Sequence, residues 1–436
     1  MSARADRTPS RLRERVRSSL GGAAAQYRDA RQSLRTPAST QSRRGLDWMN
    51  FFIADVQTGF GTFVAFYLAG RGWTQESVGL ALAVGGVAGV VSQVPGGALA
   101  DAVTWKRALT AIGIVMIAVA GLILAFMPSF VWVLCAEILH GTTAGVITPA
   151  ITAISLGLVG RRAMSLRTGR NYRFAAAGHA VTAALMGVAG SYLMQGAIFF
   201  AASVLCIPAL IALSRIRSNE IDYARARNAA TGERAGNVAR VLDLTKNRPL
   251  VLFTAAIVLF QLADASILPL VGENVAVSMG DHSSLWMSGL IIVPQIVVAI
   301  LAPWVGYHSE RKGRRPLLLL GFGLEPIRAV LLALTSSYPF LLVGQLLDGI
   351  SGAVITVLTV IVITDVTTGT GRFNLARGTV GALSGLAASL STMGTGYIVK
   401  DFGDAVGFIA IAVVACGAIL LLWAFFSETK PEQYLD

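Results

Sequence analysis

The chain alternates between long apolar stretches and short polar ones, and the apolar stretches are too long to be strands. Each contains roughly 18 residues or more, enough to cross a hydrocarbon core of about 30 Å as a helix rising about 1.5 Å per residue. Long continuous runs favour a helical bundle over an outer-membrane barrel, whose strands alternate in short segments. The pattern predicts twelve transmembrane helices, at 47–69, 76–99, 108–127, 131–158, 172–193, 196–214, 250–271, 285–305, 316–336, 339–364, 379–399 and 405–427.

One long polar stretch inside this pattern, residues 215–249, predicts a boundary between two halves. We expect a basic, disordered cytoplasmic tail at 1–46, six-helix bundles at 47–214 and 250–427 joined by a cytoplasmic linker, and a short cytoplasmic tail at 428–436. The N-terminal tail lacks the apolar core of a secretory signal peptide. Its Arg and Ser content also fits an organelle transit peptide, so its role stays open.

The two predicted bundles carry similar residues in register. Four pairs share an offset of about 209 residues, which favours an internal duplication and therefore two pseudo-symmetric bundles. The pairs are Ala54-Asp55 with Ala263-Asp264, Gly97 and Asp101 with Gly306 and Glu310, His140-Gly141 with Asp348-Gly349, and Val146-Ile147-Thr148 with Val354-Ile355-Thr356.

Composition and charge distribution point to a membrane rather than to nucleic acid. The chain is 54% hydrophobic and 14% charged, with a net charge of +12. Its basic residues lie in alternate connections, as the positive-inside rule requires when both termini are cytoplasmic. We therefore expect a multi-pass protein of the cytoplasmic (inner) membrane that contacts the lipid bilayer, binds no nucleic acid and is a monomer. The three cysteines lie in apolar segments without metal-ligand spacing, so no metal site is expected.

The turn between the second and third helix of each half carries a repeated pattern of glycine, acid and basic residues. Glycine allows close backbone approach or a positive φ. The acid can cap a neighbouring helix N-terminus or hold an adjacent arginine. GALADAVTWKR supplies Gly97, Asp101, Lys106 and Arg107, and GYHSERKGRRP supplies Gly306, Glu310, Gly313, Arg314 and Arg315.

With these two turns in a duplicated twelve-helix pattern, residues 47–427 resemble the major facilitator superfamily of secondary transporters. The first turn departs from the family pattern, with Thr104 and Trp105 where the family prefers glycine and a basic residue. The resemblance implies that helices 1, 4, 7 and 10 line a central pathway. It also implies that the two turns form a cytoplasmic gate, closed while the pathway faces outward. The alternative is that both turns are solvated basic loops.

Polar residues within the apolar helices lie on those same four helices. Ionisable groups at membrane depth are costly and mark binding sites or proton relays. Glu137 and His140 share a helix face and could exchange a proton; alternatively they pin helix 4 to its neighbours. Asp55 and Asp264 would favour a cationic or hydrogen-bond-donating group, bind protons, or join helices. The expected substrate- or proton-binding residues are Asp55, Thr58, Glu137, His140, Gln261, Asp264, Gln345 and Asp348.

Two further ionisable residues, Glu325 and Arg328, lie on helix 9 outside this set. They are spaced i, i+3 and can pair with each other. Because the resemblance places helix 9 among the outer helices, we expect a structural ion pair there. His179 on helix 5 could reach the pathway or be satisfied structurally.

The sequence thus predicts an all-α secondary transporter of a small organic solute that works by alternating access and is coupled to protons. No nucleophile–base set, metal cluster or phosphate-cradling loop appears, so we expect neither an enzyme nor a cofactor. The alternatives are a multidrug or metabolite efflux pump working by proton antiport, and a non-transporting sensor. Glu137 stands where the family's drug exporters have a basic residue, and helix 5 lacks their Gly-Pro motif, which weakens the drug-antiport alternative. The solute, its direction and the choice among symport, antiport and uniport stay open.

Overall fold

The computed structural model describes residues 38–58, 64, 67–68, 71–127, 129–192, 197–228, 241–271, 283–335 and 337–430. Within these residues, long helices dominate, and Thr40–Asp436 form one compact unit. The helices are α1 (Thr40–Thr58), α2 (Gln75–Ala102), α3 (Lys106–Phe126), α4 (Phe130–Val159), α5 (Met164–Tyr192), α6 (Ala197–Ser214), α7 (Arg248–Asp264), α8 (Ser283–Lys312), α9 (Arg315–Leu334), α10 (Tyr338–Val366), α11 (Phe373–Phe402) and α12 (Asp404–Phe425).

Eight of these helices are long and apolar enough to cross a membrane, and α6 contains a shorter apolar segment. The prediction of an all-helical protein with apolar spans is confirmed in the described part of the chain. That all twelve helices cross the membrane, in two six-helix bundles with cytoplasmic termini, stays a prediction. The eight are α2, α3, α4, α7, α8, α9, α10 and α12.

Several helices extend beyond the apolar segments that predicted them. Helix α5 begins at Met164 instead of 172, α8 ends at Lys312 instead of 305, and α11 begins at Phe373 instead of 379. Hydropathy marks only the part of a helix suited to lipid. In each added stretch at least one polar side chain contacts another helix, namely Asn171, Glu310 and Asn374, which allows a helical turn there without apolar residues.

Helices from the two halves of the sequence meet in two long contacts, α2 with α11 and α5 with α8. Glycines permit these contacts because a side chain there would collide with backbone. A Cβ on Gly169 would lie 2.9 Å from Cα of Pro303, and one on Gly306 would lie 2.5 Å from the Ser165 carbonyl oxygen. Close backbone approach of this kind is typical of helix packing in membranes.

The segment between α6 and α7 lies against the same ends of the helices as these contacts, and we call this side of the molecule the linker end. The Asp222 amide donates to the Gly157 carbonyl at 3.1 Å, at the end of α4. Asn228, with φ of 58°, donates through its side chain to the Thr364 carbonyl of α10 at 2.6 Å. The described part of the linker therefore touches both halves of the chain.

Candidate functional site

Two adjoining cavities, of about 340 and 390 Å³, lie between the helices of the two halves. Residues from both halves contribute to each wall, and we call the two together the central cavity. Volumes of this order suit a small organic molecule. The residues shared by both walls are Thr148, Tyr172, Thr356 and Arg377.

The eight residues predicted to bind solute or protons are distributed unevenly around the central cavity. Asp348 lines the first cavity and Gln261 the second. The described lining of the two cavities does not include Glu137, His140, Asp264 or Gln345. The side chains of Asp55 and Thr58, in the last turn of α1, lie outside the described residues.

Arg328 brings three carboxylates together beside the central cavity. Its Nη1 atom lies 2.8 Å from Oδ1 of Asp264 on α7, 2.8 Å from Oδ1 of Asp348 on α10, and 3.4 Å from Oε1 of Glu325 on its own helix. Arg328 is only 1% exposed and Glu325 is fully buried. One buried guanidinium therefore pairs with acids from three helices. We call these four residues the Arg328 cluster.

This geometry corrects the prediction for helix 9. The Glu325–Arg328 contact forms as its spacing indicated, but the pair is not isolated from the pathway acids. The arginine side chain reaches inward to α7 and α10, where Asp264 and Asp348 supply the counter-charge that a buried guanidinium needs. With every group ionised the cluster would carry three negative charges and one positive charge.

Glu137 and its counterpart Gln345 are both buried without a full set of partners. Glu137 is 4% exposed, and among the described residues its Oε1 has no hydrogen-bond partner. Its Oε2 lies against Gly85 of α2, where a Cβ would collide with it. Both amide atoms of Gln345 lack partners in the described part of the chain. His140 is partly buried on α4, and a proton relay between Glu137 and His140 stays a prediction.

The first predicted gate turn caps a helix of the other half. Oδ2 of Asp101 accepts from the Leu375 amide at 2.8 Å, and Oδ1 accepts from Nδ2 of Asn374 at 2.7 Å and from the Asn374 amide at 3.3 Å. A Cβ on Gly97 would collide with the Asn374 carbonyl oxygen. The basic residues bind carbonyls of their own half: Lys106 donates to the Ala100 and Val103 carbonyls, and Arg107 donates to the Ser214 carbonyl at the end of α6.

The second predicted gate turn also reaches the other half, directly through Glu310 and, by way of Asp365, through Arg314. Glu310 accepts from the Ser165 hydroxyl at the start of α5 and pairs with Nη2 of Arg314 at 3.0 Å. Arg314 also pairs with Asp365 of α10 at 3.0 Å, and Asp365 meets Arg161 of the first half at 3.4 Å.

The glycine and the last arginine of this turn shape the start of α9. Gly313 has φ of 90°, a conformation that favours glycine. Arg315 donates to the Trp423 carbonyl at 2.6 Å, and the amides of Arg314 and Arg315 donate to Glu428 at 2.8 and 3.0 Å. The second turn is thus joined to α12 as well as to the first half.

Three structural features were not predicted from the sequence. Asp365 joins the linker-end network although no spacing signal connects it to Arg161. Asp47 of α1 pairs with Arg167 and Arg170 of α5, with Nη2 of Arg170 at 2.6 Å. Arg377 lines both cavities, yet the predicted boundary of helix 11 placed it outside the membrane segment.

The sequence matches known proteins along nearly its full length. The family model described as Major Facilitator Superfamily matches residues 46–324 and 254–435. A protein named as an uncharacterized MFS-type transporter, from two Mycobacterium tuberculosis strains, is 35% identical over 389 residues, covering 88% of this chain and 93% of the relative. The class B tetracycline resistance protein of Escherichia coli is 34% identical over 141 residues, covering 32% of this chain and 34% of the relative.

Proposed function

The chain belongs to the Major Facilitator Superfamily, and on that premise we propose that it is a secondary active transporter that moves a small organic solute by alternating access, coupled to protons. The observation that carries the proposal is the central cavity, whose wall includes Asp348 of the Arg328 cluster. A solute site and a titratable cluster that share a residue can influence each other's occupancy. Such mutual influence is what coupling requires.

Alternating access is supported by the contacts at the linker end. Asp101 and Glu310, at equivalent positions in the two halves, each reach the start of a helix in the opposite half. These contacts are polar and hydrogen-bonded, so water can replace each partner when they break. The two halves would rock about the central cavity, with this end closed in the present state.

Proton coupling is supported by the charge count of the Arg328 cluster. Three carboxylates around one buried guanidinium repel one another unless protons are bound, because like charges at short range cannot all ionise in a low dielectric. Binding or release of a proton would change the charge beside the solute. Asp348, on the cavity wall, is the group through which that change would reach the solute.

The proposed orientation in the cytoplasmic membrane is supported by the basic residues at the linker end. Arg161, Arg162, Arg311 and Arg314 lie there, on or beside helix ends. The positive-inside rule makes this end cytoplasmic. All twelve helices would then cross the membrane, with the protein acting as a monomer.

A solute-induced proton flux tests this function. Purified protein is reconstituted in liposomes that contain a pH-sensitive dye, and a panel of carboxylates, amines, sugars and neutral amides is added outside. We expect at least one solute to change the lumenal pH in wild-type vesicles but not in empty ones. Asp348→Asn should abolish the response, whereas Asp401→Asn, at an exposed position of α11, should keep it. A labelled solute that crosses without any change in lumenal pH would rule out proton coupling.

A second candidate, proton-driven efflux of drugs or metabolites, is favoured by the partial match to the tetracycline resistance protein. The same vesicles distinguish it. Efflux by antiport predicts that solute loaded inside leaves as protons enter, whereas symport predicts that solute and protons enter together. A non-transporting sensor would show no flux of any solute in the panel.

A further inference from the structure

We infer that Arg377 binds an anionic group of the transported molecule, so the solute is a small organic anion. This inference rests on the proposed transport function and names its substrate class. Arg377 lies on α11, one turn from its first residue, and lines the wall shared by both parts of the central cavity. A group held there would be in contact with both halves of the chain.

Arg377 is partly buried, and it differs from the three fully buried arginines in having no acid beside it. Arg328, Arg167 and Arg314 each pair with at least one carboxylate. In the described part of the chain, no carboxylate lies within ion-pair distance of Arg377, and its buried Nε has no hydrogen-bond partner. A guanidinium without a counter-ion on a cavity wall between membrane helices is costly, and an anionic ligand would remove that cost.

The surroundings of Arg377 suit the recognition of a carboxylate or phosphate. Nη2 of Arg377 donates to the Tyr172 hydroxyl oxygen at 3.4 Å. The hydroxyl proton of Tyr172 is therefore still available to donate to a ligand. The amide side chains of Gln93 and Gln261 lie on the same cavity wall. A guanidinium fork next to a hydroxyl offers several donors to one oxyanion, the arrangement that gives the strongest charge-assisted hydrogen bonds.

Asp348, the acid on the described cavity wall, is a poorer anchor for a cationic solute. Its Oδ1 already lies 2.8 Å from Arg328. A cationic solute would have to compete with a buried guanidinium that has no route to solvent, since Arg328 is 1% exposed. The acid on the described cavity wall is thus already paired with an arginine, whereas Arg377 has no carboxylate partner among the described residues, and this asymmetry favours an anion.

The charges of the Arg328 cluster and of Arg377 together would couple anion binding to proton binding. With two protons bound, the Arg328 cluster is neutral, and Arg377 then leaves one positive charge beside the cavity. A monovalent anion cancels that charge. The loaded cavity would therefore carry no net charge while the halves rearrange, which avoids moving a charge through a low dielectric.

Ligand binding by purified protein tests the inference without requiring transport. The probes are benzoate, lactate, succinate and phenyl phosphate, with benzamide, lactamide and benzylamine as neutral and cationic counterparts. We expect at least one anion to raise the melting temperature while its amide does not. Arg377→Gln should weaken binding of that anion by about 10- to 100-fold, because a hydrogen-bonded charge pair is lost. Arg377→Lys should retain part of the affinity, and Tyr172→Phe should reduce it modestly. These two variants keep the inference testable if Arg377→Gln does not fold.

The matched control is Arg162→Gln, which removes an exposed arginine at the linker end and should leave anion binding unchanged. The inference is overturned if Arg377→Gln binds the anion as tightly as wild type, if no anion of the panel binds, or if benzylamine is the best ligand. Failure of the transport proposal gives a different result from failure of the anion assignment. If the protein is not a transporter, anions bind through Arg377 but no solute crosses the vesicle membrane. If only the anion assignment is wrong, amines or neutral solutes cross and anions do not.

Discussion

At the residue scale, Arg328 supplies the positive charge that compensates three buried acids of the second half. Without it, Asp264, Glu325 and Asp348 would be carboxylates at membrane depth with no cation among their described contacts. Breaking a buried pair by removing one partner typically costs about 3–5 kcal/mol, because an uncompensated charge is left behind. Arg328 is therefore a stabilising residue as well as part of the proposed proton site.

Arg328→Gln should lower the melting temperature strongly at pH 7.5 and much less at pH 5. At the lower pH protons can neutralise buried carboxylates that the substitution has left without a cation, so less uncompensated charge remains in the folded state. Stability of the variant should thus rise as pH falls. Thermal unfolding in detergent measures this, with Arg162→Gln as the control. An equal loss at both pH values would show that electrostatic repulsion is not the cause.

The roles of the two arginines beside the central cavity show how far the sequence could predict the site. Spacing predicted the local Glu325–Arg328 contact, since i, i+3 neighbours meet on any helix. It could not predict that Arg328 also reaches α7 and α10, which depends on how helices distant in sequence pack. Arg377 was missed because its charge and polar neighbours placed the start of helix 11 two residues later, at 379.

At the element scale, the contact between α2 and α11 is the part of the linker end that a single methyl group should disturb. Gly97→Ala should force the two helices apart, because the new Cβ would collide with the Asn374 carbonyl oxygen and lie 3.1 Å from Cα of Leu375. Spin labels at Thr104 and Thr370, in a chain whose three cysteines are replaced, should report longer distances. Gly86→Ala, which adds a methyl group to the same helix in open space, should leave the distances unchanged. Unchanged distances in Gly97→Ala would contradict this account.

Asp101→Asn tests the cap on α11. Asparagine has one acceptor oxygen where aspartate has two, and it lacks the charge that a helix N-terminus favours. We expect a loss of about 1 kcal/mol and amide exchange at Leu375 roughly fivefold faster. Hydrogen exchange read by mass spectrometry or NMR would detect it, with Asp401→Asn as the control. Unaltered protection of Leu375 would show that the cap contributes nothing.

The helices themselves were well predicted as segments but not at their ends. Apolar length predicted where each helix lies, since a span needs a continuous run of residues suited to lipid. It failed at the start of α5, where Arg167, Arg170 and Asn171 continue the helix. Their helical conformation depends on Asp47, which holds both arginines, and on Ser155, which accepts from Asn171 at 2.8 Å. Those partners become neighbours only after folding.

At the scale of the whole molecule, three acids make polar contacts that join the two halves at the linker end, and we propose that these contacts keep this end closed. Asp101 faces the start of α11 and lies near Lys106, Glu310 faces Ser165 and Arg314, and Asp365 faces Arg161 and Arg314. Each contact depends on an ionised or hydrogen-bond-accepting carboxylate. Acidic conditions should weaken the contacts of Asp101 and Asp365, because a protonated carboxyl group no longer carries the charge that a helix N-terminus and an arginine favour.

Lowering the pH from 8 to 5 should therefore populate a form whose linker end is open. Spin labels at the exposed positions Arg162 and Arg311, one in each half, would measure the separation in lipid nanodiscs. We expect a longer-distance population that grows as the pH falls, because protonated carboxyl groups no longer hold the opposing arginines and helix N-terminus. A single distance at both pH values would contradict the role of these acids in closure.

The most direct test of the central claim is the accumulation of a labelled organic anion by proteoliposomes under an imposed pH gradient, with the membrane potential clamped. The account predicts that a gradient moves the anion against its own concentration difference, and that a protonophore stops net movement. Accumulation that continues after the pH gradient has collapsed, or anion movement that only ever equalises concentrations, would contradict proton-coupled transport.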